Sequence, residues 1–189
     1  MTCVHRNITY RLIPGTVLRA RKLASAAGAC RWVWNQSLAS NRDAYAEFKE
    51  GKGEKPSVTF FSLSKWFTEL RHETSWLQEL PAHPVRYVLK YQADAWRAAF
   101  LGGGFPKFKS RRGNDSITLP TGTVRIRSGR LYFPKIGPMV LRRRGGNPYP
   151  DGKPLQVVVK RCLGKCMPPS ATKLRWKTLP ITGSRLAWT

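Results

Sequence analysis

The chain has 189 residues and a formal net charge of +24, with a sequence pI near 10.9. Hydrophobic residues make up 41% and include 7 Trp, 8 Phe and 6 Tyr, enough to build a packed core in one domain or two small ones. Self-repulsion at such a charge favours a polyanionic partner, and the absence of an apolar run of about 18 residues or of a helix with one clean basic face argues against a membrane.

The first residues, Met1 to Asn7, hold no apolar signal core, so the protein is expected in the cytoplasm, associated with the nucleoid. Residues 4–13 alternate and are rich in β-formers, which predicts a strand that Pro14-Gly15 ends. Thr16 is a good N-cap for a helical pattern from Val17 to about Phe48. Gly28 predicts a break into two helices. On the second, Val33, Trp34, Leu38 and Tyr45 share a face, with Arg31, Asn35, Arg42 and Lys49 elsewhere. Residues 51–57 read as a loop. Ser62 predicts the cap of a third helix over about 63–73, with Leu63, Trp66, Phe67 and Leu70 as its apolar stripe. A fourth helix is expected over 82–101, where Val85, Leu89, Ala93, Trp96 and Phe100 fit helical spacing. These aromatic stripes are read as core, not as binding surface.

A change of character follows Gly102. Only Asp115 and Asp151 of the 10 acidic residues lie beyond it. The stretch Gly104-Phe105-Pro106-Lys107-Phe108-Lys109-Ser110-Arg111-Arg112 packs four cations into six residues and interleaves them with aromatics. A charge run alone would be a solvated loop. Aromatics at alternate positions give an extended segment a stackable side beside a charged one, which suits a nucleic-acid backbone and its bases. As a β segment needs an inward residue, Phe108 is expected to pack. Short β-type runs then follow at 117–120, 123–127, 130–133, 139–143 and 155–160, separated by turn residues at Ser128-Gly129, Ile136-Gly137-Pro138 and Gly145-Gly146-Asn147-Pro148. Such spacing predicts a small barrel or curled sheet, into which the N-terminal strand pairs with the helices inserted between.

Catalytic and metal-site patterns are poor. Cys3, Cys30, Cys162 and Cys166 make no disulfide framework and no complete zinc site, and His5, His72 and His83 are scattered. No phosphate-binding glycine motif or nucleophilic triad occurs. A two-metal nuclease site needs several convergent carboxylates, and the basic half offers two. Glu69 and Glu73, one turn apart, read as ion-pair partners of Lys65. No cofactor, no metal and no small-molecule substrate are expected.

Several segments, in order, resemble one family. They are Tyr10-Arg11-Leu12-Ile13-Pro14, Gly28-Ala29-Cys30-Arg31-Trp32-Val33-Trp34-Asn35, Leu63-Ser64-Lys65 with Leu70-Arg71, Trp76-Leu77 with Leu80-Pro81, Phe105-Pro106-Lys107-Phe108-Lys109-Ser110-Arg111, and Leu131-Tyr132-Phe133-Pro134-Lys135-Ile136-Gly137. Together they resemble the OrfB/TnpB family of transposon-encoded proteins, known as transposases and as RNA-guided DNA nucleases. The resemblance covers residues 4 to about 161. It implies an α+β fold: a small wedge-type β-barrel interrupted by a helical insertion of about four helices, read as a recognition, helix-turn-helix domain. It divides the chain into a first barrel strand at 1–15, the helical domain at 16–102, the rest of the basic barrel at 103–161, and a tail at 162–189. It implies DNA and guide-type RNA as partners. The residues expected to contact nucleic acid are Arg11, Arg31, Lys107, Lys109, Arg111, Arg112, Arg142, Arg143 and Arg144.

Two departures from the family pattern stand out. Pro84 lies where the family continues a helix start, which would delay the fourth helix. The family's RuvC-like nuclease domain and zinc ribbon would begin near residue 175, so this chain is expected to bind nucleic acid without cutting it. The sequence after Arg161 leaves the family pattern. With suitable codons, the segments after Lys165 and from Ser184 read one nucleotide back as an alternating strand and as Ile-Ser-Leu-Gly-Val-Asp, so the tail reads as frameshifted. The expected function is that of a truncated, nucleic-acid-binding part of an OrfB/TnpB-type protein. The alternatives are a catalytically competent transposase or nuclease and a basic structural RNA-binding protein of the ribosome-associated kind.

Overall fold

The computed structural model describes residues 7–112, 115–120, 122–142, 154–161 and 172–178. A strand, β1 (Asn7–Ile13), leads into a 33-residue helix, α1 (Val17–Lys49), about 50 Å long at the standard rise. Three further helices follow: α2 (Phe60–Glu73), the single-turn α3 (Ser75–Gln78) and α4 (Ala82–Phe100). The chain then becomes β: β2 (Ser116–Pro120), β3 (Arg125–Arg127), β4 (Arg130–Phe133), β5 (Gly137–Arg142), β6 (Pro154–Arg161) and β7 (Thr172–Thr178). The class is α+β with four helices, as the sequence predicts.

Several helix boundaries differ from expectation, each for a local reason. No turn divides α1 at Gly28. Glycine inside a helix costs about 1 kcal/mol relative to Ala, and burial of Ala26, Ala27, Ala29 and Cys30 on either side offsets it. Thr59, not Ser62, caps α2. Its side chain accepts from the Ser62 amide while Ser62 Oγ accepts from the Thr59 amide, a reciprocal capping box. Pro84 does not delay α4, which starts at Ala82. A proline in the first turn removes a donor that has no intrahelical acceptor there.

The strands form one antiparallel sheet of order β2-β6-β7-β1-β5-β4-β3. The N-terminal strand thus lies inside the C-terminal sheet, with the helices inserted between. The tightest connection is the β3–β4 hairpin, where Arg127 pairs with Arg130 across Ser128 and Gly129. Both turn residues have positive φ, 49° and 68°, as a two-residue turn matched to strand twist requires. The expected barrel is an open sheet: no ladder joins β2 to β3 among the described residues. Gly137 and Pro138, expected in a turn, belong to β5. Within the expected tail, 162–189, only Thr172–Thr178 are among the described residues, and they form β7 between β1 and β6.

Two apolar cores result. One lies on the inner face of the sheet, with Tyr10, Leu12, Leu119, Leu131, Met139, Leu141 and Val157 packed against Leu23, Ala26 and Ala27 of α1. The other joins Val33, Trp34 and Leu38 of α1 to Leu63, Phe67, Leu77, Leu89 and Trp96. The single helix α1 is therefore the shared spine, its N-terminal half serving the sheet and its centre serving the helices. Polar ties reinforce the junction: Lys135 Nζ donates to the Gln78 carbonyl at 2.6 Å, and Gln156 donates to the Tyr91 hydroxyl at 2.9 Å.

Candidate nucleic-acid interface

The basic stretch after Gly104 is not a strand. It is an extended segment laid along α1 and held there by side chains of that helix. The Arg42 guanidinium donates to the Pro106 carbonyl at 2.7 Å, and the Trp34 indole N–H donates to the Lys107 carbonyl at 2.9 Å. The Asn35 amide donates to the Lys109 carbonyl at 3.0 Å and accepts from the Lys109 N–H at 2.8 Å. Further along, Arg31 pairs with Asp115 at 2.5 Å. Arg31, Asn35 and Arg42 are four and seven residues apart, so one stripe of α1 carries the whole clamp. The helix is also held from within: the Gln92 side chain donates to the Trp34 carbonyl at 2.8 Å in the helical core.

Both phenylalanines stay exposed in part, Phe105 at 43% and Phe108 at 51%, so Phe108 is not the inward residue expected. Phe105 packs, its ring 5.5 Å from Tyr45 and 5.7 Å from Trp96. Phe108 faces outward, 51% exposed, with the Arg42 guanidinium 5.0 Å from its ring centre. Phe105 and the buried Pro106 lead into the segment, so the next outward aromatic falls at 108. Lys107, Lys109, Arg111 and Arg112 are exposed. Lys109 Nζ lies 4.0 Å from the centre of the Trp34 ring. Desolvation there lowers its pKa below the usual lysine value, against the opposing pull of Cys30 and Asp115. The buried Cys30 thiol is pushed up to about 12, chiefly by desolvation; Asp115 adds to the rise and Lys109 opposes it. Arg31 is engaged by Asp115 and half-buried, so it positions the segment.

A second group of cations lies across the sheet. Arg11 and Arg142 are direct cross-strand partners, and both are exposed while their neighbours Leu12 and Leu141 are buried. The same register position continues through Lys173 of β7 to the exposed Lys160 of β6. One register position therefore runs through four adjacent strands about 4.8 Å apart, with a Lys or Arg at each and the exposed Arg11, Arg142 and Lys160 among them. At the other end, Arg127 opposes Arg130 and Arg125 opposes Tyr132, all exposed. The seven strands contain no Asp or Glu. Like charges directly opposite each other destabilise a sheet unless a counter-charge is supplied.

The expected contact residues thus separate into groups. Lys107, Lys109, Arg111 and Arg112 share the clamped segment, and Arg11 and Arg142 share the outer face of the sheet. Arg143 and Arg144 lie outside the described residues. Arg125, Arg127, Arg130 and Lys160 were missed by sequence reasoning. Their signal was the recurrence of a cation at every second strand position, which marks an outward face. Among the described residues, no three of His, Cys, Asp and Glu come together as metal ligands.

Comparison with known proteins agrees with the motifs. The OrfB/IS605 helix-turn-helix domain family matches residues 1–50. In the structure this region comprises β1 and the unbroken α1. The chain is also 32% identical over 120 residues to InsQ of Escherichia coli, a protein named as an RNA-guided DNA endonuclease. That match takes in 61% of this chain and 28% of InsQ, so the chain spans well under two thirds of that relative. The chain is therefore similar to the OrfB/IS605 helix-turn-helix domain family over its first 50 residues and to InsQ over 120 residues.

Proposed function

We propose that this protein binds transposon-derived RNA and DNA through the outer face of its sheet and the clamped segment 107–112, as the nucleic-acid-holding part of an OrfB/TnpB-type transposition protein. The observation that carries the reading is the register rank Lys160–Lys173–Arg11–Arg142. Such a rank repels itself, and a row of phosphates supplies the missing counter-charge. In this reading the curled sheet acts as the family's wedge and the four helices as its recognition domain. The chain holds nucleic acid and does not hydrolyse it: Asp115, one of only two acids after Gly102, is committed to Arg31.

The test is a salt titration of binding to transposon-end RNA and to duplex transposon DNA. With about six phosphates engaged, log affinity falls against log salt with a slope of about −4 to −5.5. A slope near zero overturns the reading. Preference for ribosomal RNA over transposon-end RNA points to the structural RNA-binding alternative. Magnesium-dependent, guide-dependent cleavage by this chain overturns the non-catalytic assignment.

A further inference from the structure

Two cavities meet at Trp76, beside the clamp described above. One, of about 520 Å³, lies beside α1 and is bordered by Trp32, Gln36, Ser25 and Trp76. The other, of about 460 Å³, continues from the same Ser25 and Trp76 to Lys22, Glu79 and Lys135. Together they form a trough between α1, α3 and the β4–β5 turn. The Trp32 and Trp76 rings meet edge to face, 5.2 Å apart at 72°. Trp76 nevertheless stays 43% exposed, an unusual position for the residue with the largest apolar surface.

We infer that this trough takes one unpaired nucleobase of a single-stranded nucleic acid, stacked against Trp76. Its size is that of a small-ligand site. An indole offers a flat face to any base, and only an unpaired base has its own faces free. The Gln36 amide and Ser25 hydroxyl supply donors and acceptors to a base edge, and the Glu79 carboxylate accepts from a base N–H, such as N3–H of uracil or thymine. Lys22 and Lys135 stand at the same end for the flanking phosphates; Lys135 spends one donor on Gln78 and keeps two. An apolar peptide would meet the same two cations without charges of its own, whereas a polyanion answers the +24 of the chain. Asn35 borders the trough and also clamps Lys109, so a strand leaving segment 107–112 has a short path into it. The inference rests on the nucleic-acid reading above and adds a base-contacting subsite to it.

The test uses the full chain with fluorescent oligo-U, oligo-dT and a fully abasic oligomer of equal length. Loss of base stacking weakens binding by about 5-fold to 150-fold. Trp76→Ala is therefore expected to weaken oligo-U or oligo-dT binding by at least about 5-fold, to leave abasic binding and the salt slope unchanged, and so to abolish the preference for bases. Photo-cross-linking of 5-iodouridine oligomers to the unmutated protein is expected to modify the Trp76 or Trp32 peptide, and it decides the matter if the variant does not fold. The uridine and thymidine arms show whether RNA or DNA occupies the site. Salt-dependent binding with no effect of Trp76→Ala, or cross-links only elsewhere, overturns the subsite and leaves the proposed function standing. Absence of salt-dependent binding by the unmutated protein removes both.

Discussion

Asn35 holds the backbone of Lys109 by two hydrogen bonds, donating to its carbonyl at 3.0 Å and accepting from its amide at 2.8 Å. The side-chain amide presents a donor and an acceptor side by side, as a neighbouring strand would. It thereby fixes a basic segment that has no sheet partner. Two of the segments that carry the family resemblance, the one around Arg31-Trp32-Val33-Trp34-Asn35 and the one around Phe105–Arg111, meet at this point.

Asn35→Ala removes both bonds. Each such bond contributes about 0.5–1.5 kcal/mol net, so a loss of roughly 1–3 kcal/mol is expected if the segment detaches. The sharper readout is local. Tryptic cleavage after Lys107, Lys109 or Arg111 should accelerate before the helical core unfolds. Unchanged cleavage kinetics there would show that Trp34 and Arg42 hold the segment unaided.

Replacing Arg11 and Arg142 together by Thr tests the cation rank. These residues face each other, so removing both relieves repulsion and should leave stability unchanged or slightly higher. Affinity for nucleic acid should fall, and the salt slope should shrink by about 1.4–1.8 if each arginine meets one phosphate. Thermal melting and a binding titration on the same sample separate the two effects. A drop in stability with no change in slope would make the pair structural.

Asp115 is expected to act as a structural anion. Its side chain is 11% exposed and that of Arg31 is 20% exposed, so breaking the pair strands a largely buried guanidinium. Asp115→Ala should cost on the order of 2–4 kcal/mol, toward the lower end of what broken buried pairs cost because Arg31 keeps some water. Arg31→Met combined with Asp115→Leu should cost less than either single change, which a double-mutant cycle in urea would reveal. Additive losses would argue against a direct pair.

Cys30 and Lys109 predict opposite pH dependences. The folded Cys30 thiol, near 12 against an ordinary 9.0, holds its proton more tightly than the unfolded one. Its contribution is fully present below pH 9 and is lost as pH rises toward 12. Folded Lys109 holds its proton less tightly than an ordinary lysine at 10.5. The cost of keeping its ammonium against Trp34 is present at neutral pH and fades as pH rises through its lowered pKa. Lys109→Met should therefore remove that upward trend, while Cys30→Ala should flatten the alkaline decline. At pH 8 native Cys30 should resist alkylation, as mapped by mass spectrometry; rapid modification would contradict its burial.

The sequence by itself determined the change from helices to strands at Gly102, the apolar stripes of α2 and α4, the β runs from 117 to 160 and the family resemblance. These are short-range properties, carried by periodicity, turn residues and charge, and the observed strands follow the expected runs closely. It also marked 107–112 as the densest basic patch. Only the tertiary structure decided what each of those residues faces. Arg31 is expected to contact nucleic acid and Arg42 is placed only off the apolar stripe, yet one neutralises Asp115 and the other caps a carbonyl of the basic segment. Phe108, expected to pack, is 51% exposed beside Arg42, because burial depends on where the segment lands on α1, some 70 residues away in sequence. Gly28 did not break α1, because flanking alanines bury against two different cores. The cation rank was invisible in one dimension for the same reason. Arg11, Arg142, Lys160 and Lys173 come from four strands, and only the register of the sheet sets them side by side.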